Sequence, residues 1–266
     1  MDTRRIIVAF FISLVIVFLA YRRGSLSKSG AVGALLVGTI IFGLGGPVWG
    51  ILLGLFFVSS SLLSHFKEAE KRAAAEKFDK GHQRDIGQVL ANGGLGSLVA
   101  ILSVALPSAL WFPLFTGIMA TVTADTWATE LGTLSKQPPR LITNGRRVET
   151  GTSGGVSLLG TLVSMAGGVI IGLSAALLDP NLNVLQGALI GGIGGLAGSL
   201  FDSFLGATIQ QIYFCDSCRK DTERRIHKCG SQTRPLRGWA WLNNDLVNLI
   251  ASIVGGLITA GLWLLL

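Results

Sequence analysis

Long apolar runs, separated by short polar and mostly basic segments, dominate the chain. Eight runs are legible, at residues 6–20, 30–44, 48–63, 86–107, 110–134, 153–178, 184–212 and 239–266. Most approach the ~20 residues that a helix needs to cross a bilayer, which predicts an all-α fold, a polytopic transmembrane helical bundle of about eight spans. The second and third runs are short for a crossing. They meet at Gly45-Gly46-Pro47, which predicts a tight hairpin that stops short of a full span. The first run resembles a signal sequence, but no small-residue cleavage site follows it, so it reads as an anchor. Residues 1–266 form a single integral membrane domain on this reading.

The polar segments set the sidedness. Segments 21–29, 64–85, 135–152 and 213–238 carry three, six, four and seven Lys or Arg, twenty of the 22 in the chain. Basic residues concentrate in cytoplasmic loops, so eight crossings put both termini outside a cell membrane and these four segments in the cytoplasm. Arg4 and Arg5 oppose that assignment. The composition agrees with a membrane protein, with 50% hydrophobic and 14% charged residues and a mean hydropathy of +0.58. The net charge of +7 is spread over short loops, which argues against a nucleic-acid surface.

Segment 64–85 is charged and Ala-rich. It predicts an exposed cytoplasmic helix with pairs such as Glu76–Lys80. Two internal similarities suggest a helical hairpin repeated in parallel. Ser29-Gly30-Ala31-Val32 resembles Ser153-Gly154-Gly155-Val156, and Ala124-Asp125-Thr126-Trp127 resembles Phe201-Asp202-Ser203-Phe204. Chance matching of Gly-rich apolar sequence is the plainer explanation of both.

Three carboxylates interrupt apolar runs, Asp125, Glu130 and Asp202, and Asp245 lies just inside another. An acid in hydrocarbon costs about 3 kcal/mol or more without a partner, so such residues mark sites. Asp125 and Asp202 each fall roughly ten residues before the basic-side end of their run, about 15 Å deep. Asp125 and Glu130 are about 140° apart on a helix, so they point to different neighbours. With Thr121, Thr123, Thr126 and Thr129 they make the fifth run polar over a wide sector, which predicts a helix surrounded by protein. Interhelical hydrogen bonding is the structural alternative.

Runs two, four, six and eight begin on the basic side with polar residues: Ser27-Lys28-Ser29-Gly30, Arg84-Asp85-Ile86-Gly87-Gln88, Gly151-Thr152-Ser153-Gly154-Gly155 and Asn243-Asn244-Asp245. Helix N-termini of this kind attract anions, although the same residues also serve as ordinary caps. Four such starts beside several acids suit a divalent cation with phosphates around it. Glycines at 187, 191, 192, 194, 195 and 198 predict close helix packing in the seventh run. They nominally fit a dinucleotide fingerprint, but no strand precedes them.

Cys215, Cys218, His227 and Cys229 share one segment, 213–238, in a pattern that fits tetrahedral Zn2+ of a structural kind. An odd number of cysteines on a reducing side argues against disulfides. The chain has neither a Walker A sequence nor a Gly-x-Ser-x-Gly elbow.

Six segments carry a family likeness: LSKSGAVGALLVG from residue 26, KFDKGHQRDIGQVLANGG from 77, ADTWATELG from 124, ITNGRRVETGTSGGVSLLGT from 142, GSLFDSFLGATIQ from 198 and WLNNDLVNL from 241. They resemble an integral membrane family, long a domain of unknown function, that includes plant phytyl-phosphate kinase and animal transmembrane protein 19. More loosely, they are similar to CTP-dependent dolichol and phytol kinases and cytidylyltransferases. The resemblance implies a kinase that moves a phosphoryl group from a nucleoside triphosphate, CTP in particular, to a prenyl monophosphate such as phytyl or geranylgeranyl phosphate. On that reading Asp125 and Asp202 hold Mg2+, and Glu130 and Asp245 act as second ligands or orienters. Asn92, Asn244, Thr152 and Ser153 bond phosphate or ribose, and Lys28, Arg84, Arg146 and Arg147 neutralise nucleotide phosphates. The alternatives are an ion-coupled transporter of small molecules or lipids and a lipid nucleotidyltransferase.

Overall fold

In the computed structural model, which describes residues 3–78 and 83–266, the apolar runs become eight long helices. They are α1 (Thr3–Arg22), α2 (Lys28–Ile40, continued by a π-helical turn over Ile41–Gly45), α3 (Pro47–His65), α5 (Ile86–Ala105), α6 (Trp111–Gly132), α7 (Leu158–Leu178), α8 (Val184–Thr208) and α9 (Asn244–Leu265). A short amphipathic helix, α4 (Glu68–Ala75), follows α3. Seven of the long helices are long and apolar enough to cross a membrane. The remaining one, α6, is not among them because its acids and threonines lower its hydropathy. Nearly every residue of α6 from Pro113 to Ala124 is buried inside the protein, as its wide polar sector predicted.

Side-chain caps start the four helices at the basic end. Ser27, Asp85, Ser157 and Asn243 accept from the backbone N–H of Gly30, Gln88, Gly160 and Leu246, and Asp85 and Gln88 form a reciprocal capping box. The sixth and eighth runs therefore enter helix later than the hydropathy pattern suggests, at Leu158 and Asn244 rather than 153 and 239. The residues ahead of α7 instead form a small antiparallel pair, β1 (Arg140–Leu141) with β2 (Gly155–Val156). Segment 213–238, expected to be a loop, carries a three-stranded antiparallel sheet in the order β4-β3-β5: β3 (Ile212–Cys215), β4 (Lys220–Thr222) and β5 (Arg234–Arg237).

The hairpin at 45–47 forms. Gly46 turns the chain at φ 95°, which favours glycine, and Pro47 starts α3. Its arms have 18 and 19 residues, about 27 Å each, just under the thickness of a bilayer core. Arg5 donates to the carbonyls of Gly43 (2.8 Å) and Leu44 (3.1 Å) at the end of the π turn. That capping duty explains a cation at the otherwise weakly charged end. Among its described residues segment 64–85 is helical over α4 and the last two residues of α3. The expected Glu76–Lys80 pair lies outside the described residues, and Glu76 accepts from Lys220 at 3.4 Å.

α6, α7, α8 and α9 make the closest-packed group, and α1, α2, α3 and α5 flank it. Glycine makes the inner contacts. The backbones of Gly168 and Gly172 on α7 lie directly against Gly187 and Gly191 on α8. A Cβ at Gly191 would stand 2.5 Å from the Gly168 carbonyl oxygen and 2.7 Å from Gly172 Cα. Gly191→Leu is therefore expected to force α7 and α8 apart and to lower stability by about 2 kcal/mol or more. Thermal unfolding in detergent reads this, and an unchanged midpoint would mean that the two backbones are not in contact.

The four basic segments meet at one end of the bundle. Arg84 pairs with the backbone of Ser25 and Ser27, Lys77 reaches Glu149 and Thr152, and Ser153 reaches Gln210. α6 and α8 run in the same direction toward this end, as a parallel repeat requires. Both helices stop sooner than their apolar runs, at Gly132 and Thr208. Asp125 and Asp202 therefore lie seven and six residues from the helix ends, about 10 Å deep rather than 15 Å.

Candidate functional site

A cavity of about 530 Å³ opens among the basic segments, and its wall contains Asp125, Asp202, Glu130 and Asp245. The cavity is bounded by the ends of α3, α6 and α8, the starts of α5, α7 and α9, α4, and the 150–157 loop. Asp125 faces α8, where Ser199 Oγ donates to its Oδ1 at 3.3 Å. Asp202 follows Ser199 by three residues on α8 and so shares the face that meets Asp125. Among the described residues the buried Asp202 Oδ2 has no hydrogen-bond partner. Among the described residues neither acid has an ion-pair partner. Two half-satisfied carboxylates in one polar cavity, ringed by hydroxyl and amide oxygens, form a hard donor set that suits Mg2+.

Glu130 lies on the other side of α6, as the spacing predicted. Ser64 Oγ donates to its Oε1 at 2.8 Å, and Lys71 of α4 forms an ion pair with its Oε2. Lys71 also donates to the carbonyls of Leu63 (2.7 Å) and Ser64 (3.2 Å) in the last turn of α3, where the Leu63 carbonyl accepts from Phe66 N–H as well. Glu130 thus anchors α4 and the end of α3 to the cavity wall on α6. Arg84 is buried, donates to Ser61 Oγ at 2.9 Å and lies over Phe56 and Phe57. Burial lowers its pKa to about 10, against the opposing pull of Glu130. Its guanidinium reaches the cavity while held by α3.

Three of the four polar helix starts converge. Arg84 and Gln88 come from the start of α5, Ser157 and Gly160 from α7, and Asn243, Asn244 and Asp245 from α9. The start of α2 does not, because α2 packs on α1 and α5 and is kept away from the inner helices. Lys28 is accordingly exposed and off the cavity. Arg146 and Arg147 are exposed too, at the tip of the 140–147 turn, where the Arg146 carbonyl accepts from Leu141 and Arg147 bridges to Arg140. These three are corrected as phosphate-binding candidates, because neither segment turns toward the acids.

Asn92, Thr152 and Ser153 line the cavity as expected. Thr152 and Ser153 sit in a wedged loop rather than at a helix start. Gly151 (φ 83°) presses on Ala74 and Gly154 (φ 84°) on Ala207, while Thr152 accepts from Lys77 at 3.1 Å and Ser153 donates to Gln210 at 2.8 Å. The Lys77 hydrogen bond and charge also hold the Glu149 carboxyl below the usual carboxylate range.

The cavity also includes residues that sequence reasoning passed over: Lys71, Ser199, Glu223, Lys228 and Asn248. A signal existed for α4, since Lys71, Ala74 and Phe78 recur at helical spacing and all line the cavity. Nothing in the sequence places Glu223 or Lys228 there.

A second cluster stands outside the cavity. Cys215, Cys218, His227 and Cys229 each offer a ligand atom, and these atoms all lie within 4.8 Å of one another. The Sγ atoms of Cys215 and Cys229 are 3.7 Å apart, and His227 Nδ1 is 3.2 Å from Cys229 Sγ. Hydrogen bonds from Ser231, then from His227 and Cys218, pull the Cys229 thiol down to about 5, while the hydrogen bond to Cys229 pushes the Cys218 thiol up to about 11.

The sequence matches the integral membrane family DUF92 over residues 11–256. The chain belongs to that family. It is the family that the six sequence segments resemble, and the matched residues include Asp125, Glu130, Asp202 and Asp245. Protein PGR of Arabidopsis thaliana is 35% identical over 96% of this chain and 95% of its own length. An uncharacterized membrane protein of Methanocaldococcus jannaschii is 33% identical over 97% of this chain and 95% of its own. Protein VTE6, chloroplastic, of A. thaliana is 25% identical over 88% of this chain and 64% of its own. No solved structure matches. The protein is therefore a multi-pass integral membrane protein.

Proposed function

We propose that this protein is a membrane kinase that transfers a phosphoryl group from a nucleoside triphosphate, CTP in the first instance, to a prenyl monophosphate. The observation that carries the reading is the convergence of Asp125 and Asp202, from two parallel helices, on one cavity at the basic end. Family membership supports the reaction class, because the family resembled in sequence includes a prenyl-phosphate kinase. The reading puts the basic end in the cytoplasm, where nucleotide is available, and both termini outside.

Asp125 and Asp202 would hold Mg2+, which neutralises phosphate charge when bound. The remaining work falls to the chain. Gln88, Asn92, Asn244 and Asn248 offer amide donors to phosphate and ribose, and Arg84 and Lys228 supply positive charge. A prenyl tail stays in the bilayer while its phosphate enters the cavity about 10 Å below the helix ends. An oxygen of the acceptor monophosphate attacks the γ-phosphorus. The bond to the β-phosphate oxygen breaks, and the nucleoside diphosphate leaves. The acceptor oxygen is already ionised at neutral pH, so positioning and charge neutralisation suffice without a strong base.

Purified protein supplied with γ-labelled CTP, Mg2+ and geranylgeranyl or phytyl monophosphate should yield CDP and a labelled prenyl diphosphate. A CDP-lipid with pyrophosphate release would replace this reading with a nucleotidyltransferase. Absence of turnover together with ion-dependent flux into vesicles would replace it with a transporter.

A further inference from the structure

The kinase reading leaves the Cys/His cluster unused, yet the cluster is built as a site. Cys215 ends β3, and the chain turns back into β4 through Arg219, which adopts φ 54°. The opposite ligands lie on a second tight turn. There Gly230 (φ 85°) donates to the His227 carbonyl at 2.8 Å, and His227 N–H donates to the Ser231 carbonyl at 3.0 Å. Two tight turns thus face each other with two ligands apiece. Tetrahedral zinc with ~2.3 Å Zn–S bonds sets its sulfurs about 3.8 Å apart. The 3.7 Å between Cys215 and Cys229 matches that edge. The Ser217 and Ser231 hydroxyls hydrogen-bond at 2.8 Å, which ties the two turns together. Four protein ligands leave no open position, so the ion is structural.

The module around these ligands reaches the cavity. Lys228 lies between His227 and Cys229 in sequence and lines the cavity mouth, as does Glu223 just after β4. The module also grips the cavity wall. Glu223 N–H and Thr222 Oγ1 donate to the Lys77 carbonyl at 2.9 and 3.2 Å, and Arg224 Nε donates to the Phe78 carbonyl at 2.8 Å. Lys77 in turn holds Glu149 and Thr152. A chain of contacts therefore runs from the ligands to the loop that closes one side of the cavity.

We propose that Cys215, Cys218, His227 and Cys229 bind a structural Zn2+ that fixes the β3–β5 module, and with it Lys228, Glu223 and the Lys77 contacts, against the cavity. The zinc assignment stands apart from the kinase reading; only the effect on nucleotide affinity rests on that reading.

Full-length protein purified in detergent without chelator should contain one zinc per chain by elemental mass spectrometry, with its three thiols protected from maleimide. Cys218→Ser should lose the metal. Absence of zinc, another metal in its place, or free thiols in the untreated protein would overturn the site. For the positioning role, a chelator followed by limited trypsin digestion should raise cleavage after both Lys228 and Lys77, at least tenfold. Cleavage confined to Lys228 would mean that the module does not brace the cavity wall, and this readout requires no turnover. Lys228→Gln keeps every ligand, so it should retain the zinc. Loss of one charge-assisted contact of ~1.5 kcal/mol should raise the nucleotide KM about tenfold with kcat little changed. An unchanged KM in a protein that turns over would remove Lys228 from the cavity's work.

Discussion

Asp125→Asn and Asp202→Asn are each expected to lower turnover by at least ~10²–10³-fold while the protein stays folded and at least as stable without ligand. The two halves of this expectation come from the same geometry. Both acids line one cavity. Among the described residues one Asp202 oxygen is buried without a partner. Without a cation, two nearby carboxylates repel, so making either neutral removes repulsion and desolvation together. With a cation, the same change removes a ligand. A purely structural role makes the opposite prediction, because loss of an interhelical hydrogen bond lowers stability whether or not ligand is present. Thermal unfolding with and without Mg2+ and nucleotide separates the two. The wild type should gain stability on addition of both, as any ligand that binds only the folded state requires, and the Asn variants should not. Near-normal turnover in either variant would take that residue out of the metal role.

Hydropathy made the helices legible because a membrane imposes one rule throughout: about twenty apolar residues in each crossing. It misplaced their basic-side ends, because the caps and not the apolar runs decide where a helix begins. Ser157 caps α7 four residues beyond Ser153, and Asn243 caps α9 four residues beyond Trp239. The acids were legible for a different reason. A carboxylate in an apolar run is conspicuous, and Asp125, Glu130, Asp202 and Asp245 were found this way, whereas Glu68 and Glu223, in polar segments, were not. The cations were not, because a basic residue at a membrane surface is the expected background. Lys28, Arg146 and Arg147 resembled phosphate ligands as much as Lys71 and Lys228 did. Only tertiary contacts distinguish them: α2 is held on the outer side of α5, while α4 folds back over the end of α6. The cysteine spacing pointed to a cluster but could not reveal that the same segment forms a sheet leaning on the cavity.

Lys71→Met should be the most destabilising single change at the basic end, by about 3–5 kcal/mol. Lys71 joins three acceptors there: the Leu63 and Ser64 carbonyls at the end of α3 and the Glu130 carboxylate on α6. Its side chain is 8% exposed and that of Glu130 is 21%, so solvent cannot take over the contact. Removing the ammonium leaves a half-buried carboxylate without its counter-charge and takes a donor from both carbonyls, of which Leu63 keeps the Phe66 N–H. Glu130→Gln should do less harm, since Lys71 keeps its two carbonyls and Ser64 can still bond the amide. The double variant Lys71→Met, Glu130→Gln should recover a large part of the loss, because the uncompensated charge has gone. The consequence for function follows from position. α4 also lies under Gly151 through Ala74, so freeing Lys71 releases both the Glu130 wall and the 150–157 loop. Turnover should fall with stability in the single variant and return with it in the double. A single variant within about 1 kcal/mol of wild type, near the worth of an exposed ion pair, would mean that α4 is not clamped to α6 and that the cavity wall is held by other contacts.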